Sequence, residues 1–173
     1  LSFIAAKSAQ GSRLWLRRGG VTVENPRVDE PLAAGLLLLP SDLALPYPHW
    51  EETHYEKTER SRGRPVHFFL ATNPAKADPA KVSFALDRTY GALVQATYLD
   101  GTGVACRTLQ VEEFSQVDEQ WILGACSVRD EASRDIDLLR VTEAAVRRRF
   151  DAVTFDPATL DRPAPLPADL KPL

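Results

Sequence analysis

The chain contains no methionine. It also lacks a long apolar run. The most hydrophobic stretch, Leu32-Ala33-Ala34-Gly35-Leu36-Leu37-Leu38-Leu39, falls far short of the roughly 20 residues a helix needs to span a bilayer. No secretory leader can be read at the start, where Leu1-Ser2-Phe3-Ile4-Ala5 already reads as strand. A chain that opens in mid-pattern without methionine is expected to have been trimmed or cut from something longer. Basic charge is not in excess: 21 Lys and Arg face 24 Asp and Glu, for a net charge of −3. With no basic stripe interleaved with aromatics, a nucleic-acid partner is excluded. The run Arg147-Arg148-Arg149 reads as a solvated helix end.

The residues that usually carry chemistry are also scarce. There is no Gly-x-Ser-x-Gly elbow to anchor a hydrolase triad and no glycine loop to cradle a phosphate. A zinc site needs three or four converging ligands. His49 and His54, with Glu51 and Glu52 between them, supply at most a weak surface site, and His67 alternates with Pro65 and Phe69 as a half-buried structural histidine. Asp130, Glu131, Asp135 and Asp137 alternate with Arg129 and Arg134, which reads as a surface turn knitted by ion pairs. Two cysteines, Cys106 and Cys126, sit on adjacent expected strands. A turn near 116–118 would bring them almost opposite each other, as a disulfide suited to an oxidising compartment. A one-residue slip would put them on opposite faces, and two buried free thiols is the favoured reading. No metal, cofactor or catalytic residue is expected.

What the chain does have is strand after strand. Alternating or short apolar stretches fall at 53–60, 64–72, 81–87, 91–99, 104–114, 120–129 and 134–142. The breaks carry turn chemistry, among them Arg62-Gly63, Asn73-Pro74, Asp87-Arg88 and Asp100-Gly101-Thr102-Gly103. Connections this short join antiparallel neighbours, because a parallel crossover needs a dozen or more residues. Residues 1–8, 14–17 and 21–24 add three strands, with Gly19-Gly20 as a hairpin turn. Pro31 is placed to start a helix over 32–39 that Pro40 stops, and Ser41-Asp42 to cap a short turn at 42–45. The loop Pro46-Tyr47-Pro48-His49-Trp50 is neither regular helix nor central strand. A short helix is expected over 142–149, a last turn at 155–160, and an extended or disordered proline-rich tail over 162–173. The fold class is mainly β (α+β): a curved antiparallel meander over 1–161 with short helices.

Apolar positions suggest a lining. Phe84 and Leu86 alternate on one expected strand, Phe68 and Leu70 on another, and the insertion contributes Leu36, Leu38, Leu43, Leu45 and Trp50. A curved sheet under a leucine-rich insertion describes either a filled core or a cavity for an acyl chain with the insertion as lid.

The run 111–122, Val128-Arg129-Asp130 through Ser133-Arg134-Asp135, and Phe155-Asp156-Pro157-Ala158-Thr159-Leu160 together resemble the outer-membrane lipoprotein-sorting, LolA-like proteins. The stretches Asp42 to Trp50, Gly63 to Val66 and Ala85 to Tyr90 fit the same pattern, so the likeness runs from about Leu14 to Leu160. The resemblance implies an incomplete antiparallel barrel with helices plugging its open side. It implies a periplasmic carrier without catalytic residues that shields acyl chains of lipoproteins or lipids for transfer to the outer membrane. Inner- and outer-membrane envelope proteins are the further partners implied. The alternative is a structural or interaction module of the cell envelope with a filled core. Two departures stand out: the long N-terminal amphipathic helix and further strands of the family are missing, and Glu119 stands where glycine is common.

Overall fold

A computed structural model of the chain describes residues 2–8, 11–24, 30–75, 78–146, 156–161 and 169–173. The basic run Arg147–Arg149, Phe155 and the tail from 162 to 168 lie outside the described residues. The chain is mainly β. Strands β1 (Ser2–Ser8), β2 (Gly11–Arg18) and β3 (Val21–Glu24) form one antiparallel sheet in that order. A second sheet holds β4 (Thr53–Ser61), β5 (Arg64–Thr72), β6 (Lys81–Asp87), β7 (Leu93–Leu99), β8 (Ala105–Val117), β9 (Gln120–Asp130) and β10 (Ile136–Arg140). Its order is sequential from β4 to β10, so it is the open antiparallel meander that the short turns require. Bulges between Tyr55 and Lys57, Ala85 and Leu86, and Tyr98 and Leu99 interrupt its ladders, and each adds local bend and twist.

The chain groups into two compact units: Leu1–Ala44, Phe114–Gly124 and Arg140–Leu173 in one, Leu45–Glu113 and Ala125–Leu139 in the other. In the first unit, helix α1 (Pro40–Ala44) packs on β1 and β2, and the 3-10 turn Pro157–Asp161 packs on the same strands. Arg17 ties that turn down, donating from Nη1 to the Leu160 carbonyl at 2.8 Å and to Asp161 Oδ1 at 2.6 Å. Leu14, Leu16, Leu32 and Leu38 are buried here.

Among the described residues, three hairpin turns have positive φ at both central residues, which is the type I′ geometry that matches strand twist: Gly19-Gly20, Arg62-Gly63 and Asp118-Glu119. The third contains no glycine, with Asp118 at φ 47° and Glu119 at φ 64°. A non-glycine residue in this region costs roughly 1–2 kcal/mol, part of which glycine gives back as unfolded-state entropy. Glu119→Gly is therefore expected to stabilise the protein by about 0.5–1 kcal/mol. The check is a higher urea midpoint at unchanged slope.

Two expectations are corrected. Residues 32–39 are not helical. The Leu32 N–H donates across the segment to the Leu38 carbonyl at 2.9 Å, with Gly35 at φ 81° inside the loop. Pro40 starts the helix instead of stopping one, because its missing N–H costs nothing at a first helical position. Asp42 then reaches back, accepting from the Leu39 N–H at 2.7 Å, as the third residue of a capping box does. Residues 142–146 are not helical either: Glu143–Ala144 is β11, paired with β12 (Lys171–Pro172) from the expected tail. Lys171 also pairs with Asp118.

The cysteines follow the favoured free-thiol reading, except that one of them is not buried. Both are free thiols, Cys106 exposed and Cys126 buried. The Glu131 N–H donates to the Cys106 carbonyl at 2.9 Å, so Glu131 lies opposite Cys106. Cys126 is five positions further along β9 (131 − 126), about 17 Å at strand spacing, too far to bridge. The turn that sets this register falls at Asp118-Glu119.

Candidate apolar ligand site

Strand register decides which side chains share a face, because directly opposed residues of an antiparallel pair project to the same side. In the second unit Phe69 opposes Phe84, Ala71 opposes Val82, Val82 opposes Tyr98, and Phe84 opposes Ala96. This face is rich in rings. Phe69 and Phe84 stack with centroids 5.4 Å apart, and Tyr55 meets both Phe69 and His67 edge-on at 5.9 Å.

The aromatic-proline loop lies on that face. Tyr47, in the 3-10 turn Tyr47–His49, is 1% exposed. Its ring sits 5.2 Å from Phe84, 6.0 Å from Tyr98 and 6.4 Å from Trp50. Pro46 and Pro48 limit the backbone on either side of it, and Leu45 enters the loop at φ 45°, a conformation unusual for a bulky residue. Tyr47 is the residue that the sequence reading missed. The signal was its position between two prolines in a loop too apolar for a solvent-facing connection.

The opposite face holds Val66, Phe68 and Leu70 of β5, which oppose Asp87, Ala85 and Ser83 of β6. Val66, Ala85 and Val94 form its buried cluster, with Phe68 packed against them. Lys57 Nζ lies 5.3 Å from the centre of the Phe68 ring. Further along, this side is polar. The Thr108 hydroxyl donates to Glu131 Oε1 at 2.7 Å, the Ser127 hydroxyl to Glu112 Oε1 at 2.7 Å, and Arg62 to Glu112 Oε2 at 2.7 Å.

The nine expected lining residues are therefore not one surface. Phe84 and Leu86 lie on the ring-rich face, while Phe68 and Leu70 point the other way. A one-residue offset between two neighbouring period-2 patterns was enough to combine them wrongly. Trp50 is half-buried in the Tyr47 ring cluster, and Leu45 is half-buried at the loop entry. Leu36, Leu38 and Leu43 belong to the first unit, where Leu38 is buried, Leu43 half-buried and Leu36 exposed.

Four carboxyls on the second unit are held below their ordinary values. For Glu112 the Ser127 hydroxyl is the main cause, followed by Arg62. For Glu131 it is the Thr108 hydroxyl, followed by Arg129. The Thr102 hydroxyl lowers Asp100, and the Ser133 N–H lowers Asp130. A depressed folded value adds stability that is complete above the unfolded value and is lost as pH falls through the folded one. Stability should thus decline below pH 4.5, the ordinary value for these glutamates. Urea midpoints from pH 7 to pH 3 should show the fall, and Glu112→Gln with Glu131→Gln should flatten it. Burial acts oppositely on Cys106, pushing its thiol up.

Among the described residues no group of three or more His, Cys, Asp or Glu is placed to hold a metal ion, and no helix is long and apolar enough to cross a membrane.

No family model and no curated protein matches the chain. Solved structures do. A putative outer membrane lipoprotein-sorting protein domain from Vibrio parahaemolyticus matches with TM-score 0.70 at 14% identity, over 92% of this chain and 71% of that one. A DUF1329 family protein from Desulfovibrio piger matches with TM-score 0.66 at 11% identity, over 91% and 70%. A LolA superfamily protein from Nitrosomonas europaea matches with TM-score 0.53 at 14% identity, over 74% and 59%. The chain thus has the fold of the LolA-like, lipoprotein-sorting proteins, an open antiparallel sheet built as a meander. At these identities the likeness is one of fold.

Proposed function

We propose that this protein is a non-catalytic periplasmic carrier that shields acyl chains of lipoproteins or lipids on their way to the outer membrane. The observation that carries the reading is the ring-rich face of the second unit with the Tyr47 loop laid over it. Each methylene kept from water is worth about 0.8 kcal/mol, so a dry apolar surface is all that carriage of an acyl chain requires. The loop is the element that would yield to cargo: it is short, contains two prolines, and lays its Tyr47 ring on Phe84 and Tyr98. The fold shared with lipoprotein-sorting proteins supports the same reading.

A second reading has its own observation. Tyr47 at 1% exposure already fills this face, as in a structural envelope module with a closed core. Native mass spectrometry of the full-length protein from an envelope fraction separates the two. A co-purified phospholipid or acylated peptide is expected. An apo mass with no uptake of added acyl ligand would move the assignment to the closed-core module.

A further inference from the structure

Among the described residues β4 is one edge of the seven-stranded sheet, and residues 54–60 are exposed along it. Its hairpin with β5 closes at Ser61 and Arg64, and the residues flanking a two-residue turn form a hydrogen-bonded pair. Counting back, Glu59 and Lys57 bond to Val66 and Phe68, while Arg60 and Thr58 turn their N–H and C=O groups outward. Pro65, opposite Arg60, fits this phase: its carbonyl faces away from β4 and accepts from the Arg88 N–H at 3.0 Å. An outward row of this kind is a template for another strand. The charges along it run Glu56, Lys57, Glu59, Arg60, and they are self-complementary about Thr58. In an antiparallel pair of two copies centred there, Lys57 faces Glu59 of the second copy and Glu56 faces its Arg60, each twice by symmetry. Thr58 faces Thr58, with the outward N–H and C=O groups exchanged. Opposite charges and Thr–Thr pairs are both favourable across strands. Moving the two-fold axis by one residue in either direction sets Lys57 on Lys57 or Glu59 on Glu59, so the charges also select the register.

We propose that β4 is an interface for a second copy of this chain, joined edge to edge by antiparallel pairing about Thr58. The pairing does not rely on unsatisfied charge. Lys57 Nζ lies 3.0 Å from Glu59 Oε1 within the chain, and both side chains stay about half exposed, at 52% and 54%. Pairing joins two such ion pairs into a ring of four alternating charges. Arg60 donates to the Gly63 carbonyl at 3.2 Å and keeps further N–H groups for Glu56 of the second copy. Thr58 is already held between the Tyr55 hydroxyl at 2.8 Å and His67 Nδ1 at 2.6 Å, so little side-chain freedom is lost at the axis. The bulge between Tyr55 and Lys57 ends the straight run and keeps the interface short, in the class of weak association. Both ring-rich faces then lie on one side of a continuous sheet, because opposed residues project to the same side. The interface does not depend on what that face carries.

The test is sedimentation velocity of the full chain across a concentration series, at low and at high salt. A monomer–dimer equilibrium is expected, weakened by salt because the ion pairs are exposed. Glu59→Lys makes both Lys57–Glu59 contacts repulsive and should weaken association by about tenfold or more. Lys57→Glu together with Glu59→Lys exchanges the two charges and should restore it. A cooperative urea transition establishes that each variant is folded. A monomer at every concentration overturns the interface, a result that needs no variant to fold, and leaves the charges as guards of an open edge. A dimer that Glu59→Lys leaves intact also overturns it, because the contact then lies elsewhere. So does a folded double variant that fails to associate.

Discussion

Phe84→Asp is expected to unfold the second unit of the sheet. Phe84 is 2% exposed, stacked on Phe69 at 5.4 Å and 5.2 Å from Tyr47. Removing a buried phenyl ring costs about 3–5 kcal/mol. Leaving an unpaired carboxylate among rings adds several more, unless it protonates. Together these rival a typical whole-domain stability of about 5–15 kcal/mol. The expected readout is loss of the cooperative urea transition, or its collapse towards zero denaturant. Phe68→Asp is the control, one position along in sequence terms from Phe69 but on the other face. It is half-buried, beside the Lys57 ammonium, and should cost no more than about 2 kcal/mol. If the two variants are equally damaging, the division of the faces is wrong. A charge at Phe84 therefore tests the fold and not the ligand, and binding experiments at that position should use Phe84→Leu.

The ease with which the strands can be read, and the difficulty of reading their faces, have one physical origin. Alternation and turn residues are local, so the seven strands from Thr53 to Arg140 were legible within a few residues of their ends. Faces depend on register, and register depends on which two residues make each turn. At Arg62-Gly63 the glycine marks the spot. At Asp118-Glu119 nothing does, and whether Cys106 could meet Cys126 hung on that turn. The strand at Glu143–Ala144 was invisible because its partner, Lys171–Pro172, is far away in the chain. The leucine run at 36–39 read as helix because it is apolar, but four consecutive leucines have no 3.6-residue periodicity to support one. The open antiparallel architecture was legible; the side chains that meet over it were not.

Tyr47→Ala is expected to lower stability by about 3–5 kcal/mol, the range for truncating a buried aromatic. In a carrier it should also raise affinity for acyl ligands. The ring occupies the face that cargo would use, so unsubstituted protein binds with its affinity reduced by the fraction of molecules in which the loop has moved aside. Truncation removes that competition. Ligand should then restore what the mutation took: at about 100 times Kd, binding to the folded state contributes about 2.7 kcal/mol. The measurement is the thermal midpoint of Tyr47→Ala with and without palmitate, beside that of the unsubstituted protein. A midpoint that recovers most of its loss with ligand, and a smaller ligand shift in the unsubstituted protein, is the carrier result. Tyr47→Leu, which keeps apolar volume, should lie between. A closed-core module predicts the same loss of stability with no recovery, because a face that evolved to hold one ring offers a void of ring size and no path along the sheet for a chain.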